Sequence, residues 1–167
     1  MNDDEISVPA GLTTEGLLGR RYIARFIDSF LISLLVAVLI ALLDTEFTSI
    51  EAGLWGYLLV IVVWIGYGTG LESSHWQATL GKRWMGLRVY NSQAGRITPR
   101  QAAGRNLLKD GPFLALLLIP GGRLLSIVWL GAHLIVLHRS RVYQAIHDRA
   151  AHTWIGAPES TIQLRLS

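Results

Sequence analysis

The chain has 167 residues, 51% of them hydrophobic and only 16% charged, with a formal net charge of +3. Its mean hydropathy is +0.38 and its pI about 9.6. A soluble domain carries roughly 25% charged residues, so this composition points into the bilayer, and the length points to one domain. The lack of cysteine excludes disulfides, Fe–S clusters, thiolate zinc sites and Cys nucleophiles. Basic residues flank the apolar runs, which favours anionic lipid headgroups over nucleic acid as their partner.

Residues 1–18 are polar and acidic and read as a cytoplasmic N-terminal tail. Residues 19–156 read as the membrane domain, and 157–167 as a C-terminal tail. Arg20, Arg21 and Arg25 precede the first span, predicted at about 26–43, in which Asp28 is the only ionisable residue. About 18 helical residues cover roughly 27 Å, near the thickness of the hydrocarbon core. Asp44-Thr45-Glu46 follows where a leader would need a small-residue cleavage site, so the run reads as a retained span. The second span, about 54–71, carries no charge, and Trp55, Tyr57, Trp64 and Tyr67 suit anchoring at the interface.

Residues 76–100 form a basic interfacial segment. Trp84, Met85, Leu87 and Val89 are mixed with Lys82, Arg83 and Arg88, a pattern that predicts an amphipathic stretch lying on anionic headgroups. Asn91–Arg96 reads as a turn. Thr98-Pro99-Arg100-Gln101 predicts a helix start, with Thr98 as cap, Pro99 at the first helical position and Gln101 completing a capping box. That helix should run from Pro99 to about Ile119, kink at Gly111-Pro112 and supply a third span at 105–119. Pro120-Gly121-Gly122 should break it before a fourth span at 123–138, whose one ionisable residue besides the flanks is His133.

Charge asymmetry orients the chain. The connection 44–53 holds acids and no bases, whereas the N-tail, the middle segment and the C-tail are rich in Arg and Lys. Both tails and the middle segment therefore belong in the cytoplasm. Pro99–His138 as one helix would reach about 60 Å, twice the hydrocarbon core. A hairpin bent at 120–122, as two tilted spans or a re-entrant pair, keeps the basic C-tail inside. Three spans is the alternative.

A carboxylate inside a span is costly unless paired or protonated, which makes Asp28 the most informative residue. Arg21, Arg25 and Asp28 share one helical face. They read either as a structural pair that locks helix packing or as a carboxylate that handles protons or ions beside Arg. Ser29, Ser33, Ala37 and Ala41, and likewise Gly66 and Gly70, recur every four residues. Such small residues let helices approach closely, within the chain or between copies. His133 reads as a hydrogen-bonded buried His. His147-Asp148 could suggest acid–base chemistry, but no nucleophile motif or metal-ligand pair accompanies it, and Gly81-Lys82 lacks the upstream glycines of a phosphate loop. Catalytic, cofactor and metal sites are not expected.

These residues resemble the RDD family of small bacterial membrane proteins. Arg21, Ala24 and Asp28 match its first-helix pattern. Thr79-Leu80-Gly81-Lys82-Arg83, then Gly86-Leu87-Arg88-Val89, then Gly95 and Arg105-Asn106 are similar to its middle blocks. His147-Asp148-Arg149, Ala151 and Thr153 are similar to its C-terminal one. The resemblance implies a multi-span protein of the bacterial inner membrane, for some of whose relatives cation/proton exchange has been proposed. The expectation is an all-α membrane protein, a bundle of three to four transmembrane or re-entrant helices. Arg21, Asp28, Arg105 and Asp148 would form a polar cluster on its cytoplasmic side. That cluster would serve structure or assembly, in contact with lipid and with a second copy or another membrane protein. The alternative is a cation/proton antiporter in which Asp28 titrates.

Overall fold

The computed structural model describes residues 8–42, 50–116, 119, 122–140 and 143–158, without the side chains of 50–54, 113, 123 and 133. The acidic connection 44–49, Pro120-Gly121, the His133 side chain and the last residues of the C-tail lie outside the described residues.

Helix α1 spans Leu18–Leu42 and α2 Ile50–Ser73. Short helix α3 covers Leu80–Trp84, followed by strand β2 at Arg88–Asn91; α4 runs Pro99–Leu116 and α5 Gly122–Arg139. Strand β1 is Leu12–Thr13, and the chain ends on α6 at Ile146–Ala150 and β3 at Thr153–Pro158. Among the described residues, Leu18–Leu42 and Trp55–Ser73 are long and apolar enough to cross a bilayer, and Leu124–Arg139 is a shorter apolar helix. α4 has the length of a span, about 27 Å at 1.5 Å per residue, but carries Arg100, Arg105, Lys109 and Asp110 along it. It begins where the capping box predicts. Thr98 N–H donates to Gln101 Oε1 at 3.0 Å, and Gln101 N–H donates back to Thr98 Oγ1 at 3.2 Å. Pro112 is accommodated inside the helix. α5 packs back against α4.

The chain is mostly helical rather than all-α. β3 pairs antiparallel with β1 on one side and β2 on the other, with Val89 opposite Ile155 and Tyr90 opposite Trp154. The interfacial segment accounts for this difference. Gly86, at φ 71°, turns the chain out of α3 after one helical turn and a half. The residues beyond it alternate as a strand rather than continuing an amphipathic helix. Leu87 and Val89 close over Leu17, Ala24, Ile97, Ala102, Ile155 and Ala157 in a small apolar core. Thus Leu12 and Leu17, read as part of the tail, are buried.

The buried face of α1 is Ala24, Asp28, Ile32 and Val36. That is one position out of phase with the Ser29–Ser33–Ala37–Ala41 stripe, of which Ser33, Ala37 and Ala41 are exposed. Side chains at Gly66 and Gly70 would meet nothing within 4 Å. Among the described residues, neither stripe as a whole packs against another helix, although Ser29 is half-buried and lines the interior cavity.

Candidate functional site

The interior of this protein is ionic and its exterior apolar. Phe26, Phe30 and Leu42 of α1, Trp55 and Val62 of α2, and Leu124 and Val128 of α5 are exposed, whereas Asp28, Glu72, Arg105, Asn106, Asp110 and Asp148 are buried. In water that arrangement would be unstable on both counts. Against hydrocarbon it is the favourable one, provided each buried charge is paired.

The pairing centres on Arg105, which α4 carries to the middle of the molecule and which is completely buried. Its Nε donates to Asp148 Oδ1 at 2.6 Å and its Nη1 to Glu72 Oε2 at 2.5 Å. Glu72, at the end of α2, also receives Asn106 Nδ2 at 3.1 Å and, on its other oxygen, Lys82 Nζ. One guanidinium thus bridges α2 to α6, and one carboxylate ties α3 to α4. Asp148 also lies 3.4 Å from His147 Nε2 and accepts the Ala145 backbone N–H at 3.4 Å. Burial raises the Asp148 pKa, but Arg105, His147 and Arg21 outweigh it and hold the carboxyl well below the usual range. Burial, then Arg105, bring the Lys82 ammonium down to about 8, against the opposing pull of Glu72.

Asp28 sits apart from this lattice and does not pair with Arg21 or Arg25. Its Oδ1 accepts Tyr67 Oη at 2.8 Å and the Gly81 N–H at 2.8 Å, and its Oδ2 accepts Thr79 Oγ1 at 2.6 Å. The carboxylate therefore binds the start of α3, where backbone N–H groups point out of the helix and Thr79 occupies the cap position. Gly81 makes this approach possible, because a Cβ there would run into the Ala24 carbonyl and the Asp28 carboxyl. Arg25 bonds instead to Asp110 Oδ1 at 2.5 Å, with its guanidinium 5.0 Å over the Trp64 ring. Lys109 Nζ reaches Asp110 Oδ2 at 3.2 Å. Arg21 donates to the backbone carbonyls of Tyr143 and Ile155, pinning α1 to the C-terminal segment.

Of the four residues read from the sequence, Arg105 and Asp148 are bonded to each other. Arg21 and Asp28 make separate attachments, and all four line one cavity of about 470 Å³. Glu72 and Asp110 were missed. Glu72 ends an uncharged run and so resembles an ordinary solvated span terminus; Asp110 lies in the stretch read as the third span, where its neighbour Lys109 made it resemble an ordinary local ion pair. Lys82 faces inward, whereas Arg83 and Arg88 are exposed, with Arg83 4.5 Å over the Trp76 ring. Among the described residues there is no group of three His, Asp or Glu that could hold a metal ion.

The family model described as the RDD family matches residues 16–152. No curated protein and no solved structure matches the chain.

Proposed function

The chain belongs to the RDD family, and we propose that it is a multi-pass protein of the bacterial inner membrane that acts in structure or assembly. Both tails face the cytoplasm in this reading, and α4 and α5 form a hairpin that enters the bilayer beside α1 and α2. The ion lattice fixes a cytoplasm-side layer of α3, α6 and the sheet onto the helices, where it can hold a second membrane protein. Arg83 and Arg88 face outward to meet anionic headgroups, with exposed Trp84 beside them.

The pairing of every buried carboxylate among the described residues carries this reading. Asp28 accepts three hydrogen bonds, and Glu72, Asp110 and Asp148 are each bonded to bases. A transport carboxylate must exchange its partners for a cation or proton during each cycle. Here, losing those partners would detach α3 and α6 from the spans. Asp28→Asn separates the two uses, because it keeps the size and removes the charge. A structural Asp28 predicts a lower unfolding temperature in detergent and no cation flux by the wild type above empty proteoliposomes. pH-dependent flux by the wild type, abolished by Asp28→Asn in a protein of undiminished stability, would replace this reading with a cation/proton antiporter.

A further inference from the structure

The ion lattice leaves one charge unanswered. Arg21, Arg25, Lys82, Arg105 and Lys109 all line the 470 Å³ cavity. Asp28, Asp110 and Asp148 line it with them, and Glu72 lies behind, bonded to two of the bases. Counting the Arg, Lys, Asp and Glu side chains, the bases exceed the acids by one. Two of the donors have no hydrogen-bond partner among the described residues: Arg105 Nη2 and Arg21 Nε, both buried. Buried donors are nearly always satisfied, and guanidinium N–H groups suit the oxygens of a phosphate.

The rest of the wall is apolar. Ile32 of α1, Trp64 of α2, and Leu130 and Leu134 of α5 line the cavity further along the helices. At the cytoplasmic end Tyr22 and His138 stack with ring centroids 6.1 Å apart, the Tyr22 hydroxyl 3.4 Å from His138 Nδ1, and link α1 to α5 there. From there Leu134 and then Leu130 recede along α5, as Ile32 does along α1, into the region the proposed topology gives to acyl chains. A soluble anion would match the basic end of this cavity and waste the apolar one.

We propose that the cleft between α1 and α5 binds one acidic phospholipid, its monoanionic phosphodiester among Arg21, Arg25 and Arg105 and one chain along Ile32, Trp64 and Leu134. The volume is within the roughly 300–1,000 Å³ of ligand pockets and holds a headgroup with the upper part of a chain, the remainder continuing into the bilayer. Arg25 is the accessible contact, with a side chain 43% exposed. The site rests on the membrane topology proposed above, and not on whether the protein transports.

The full chain in a neutral detergent is titrated with phosphatidylglycerol, with phosphatidylcholine of the same chains, and with glycerol 3-phosphate, and its unfolding temperature is read. Phosphatidylglycerol should raise it by several degrees, while phosphatidylcholine and glycerol 3-phosphate leave it nearly unchanged. Native mass spectrometry should find one phosphatidylglycerol retained. Leu134→Trp, which fills the chain end, and Arg25→Gln, which removes a head contact from a half-exposed side chain, should each abolish most of the shift. Equal stabilisation by phosphatidylcholine overturns the proposal, as does the full effect from glycerol 3-phosphate, which would mean a soluble anion. Unchanged phosphatidylglycerol shifts in both variants overturn it too. Cation flux by the wild type would sink the assembly reading while leaving these lipid shifts as they are.

Discussion

The two halves of α1 obey opposite rules. From Leu18 to Ser29 the helix is held by specific polar bonds. Arg21 reaches the C-terminal segment, Arg25 reaches Asp110, and Asp28 reaches α2 and α3. From Phe30 to Leu42 it is apolar and largely exposed, with Ile32 and Val36 as its buried residues. In the second half any residue compatible with hydrocarbon will serve. In the first half identity matters, because a buried charge without its partner has no water to fall back on. The lesson is that a membrane helix can be generic where it is hydrophobic and specific where it is polar, within one continuous element.

The sharpest way to break this contrast is at Arg105. Arg105→Met leaves Glu72 and Asp148 buried with less compensation, and should cost about 3–5 kcal/mol of stability, read by thermal or denaturant unfolding in detergent. A near-wild-type midpoint would mean the lattice is ornamental. Asp28→Asn should cost about 1.5–3 kcal/mol, the worth of hydrogen bonds to a charged group. Gly81→Ala tests the same attachment sterically. It should cost about 1–3 kcal/mol by forcing α3 off α1. Acid should act on the ion lattice that the specific half of α1 packs against. Asp148 has a depressed folded pKa, so its contribution is fully present above its unfolded value of roughly 4 and is lost as pH falls further. An Asp148→Asn variant should therefore show a flatter loss of stability below about pH 4 than the wild type. Val38→Leu, on the exposed half of α1, should change stability by less than about 0.5 kcal/mol.

Features encoded locally were legible in the sequence, and features encoded by tertiary contact were not. The Thr98–Gln101 capping box lies within one helical turn and stands as read. The first two helices follow from apolar runs of bilayer length. Asp28 was identifiable as an exception within its span, but its partners were not. Helical spacing suggested Arg21 and Arg25, whereas Thr79 and Gly81 are 51 and 53 residues away. Arg105 and Asp148 entered the expected cluster through the family pattern, since nothing local marks two residues 43 apart as a pair. β2 was read as part of an amphipathic stretch on the membrane surface because bases and apolar residues mix around Gly86, and its true partner, β3, lies at the far end of the chain.

The central claim is that the buried ions hold α3 and α6 to the long helices through each other. A double-mutant cycle on Arg105 and Asp148 tests it most directly, with unfolding free energies measured in one detergent for Arg105→Met, Asp148→Leu and the pair. The account predicts that the double variant is less destabilised than the two single variants together, with a coupling of about 1–3 kcal/mol. Strict additivity would contradict it, because the two charges would then be independent of each other despite their 2.6 Å bond.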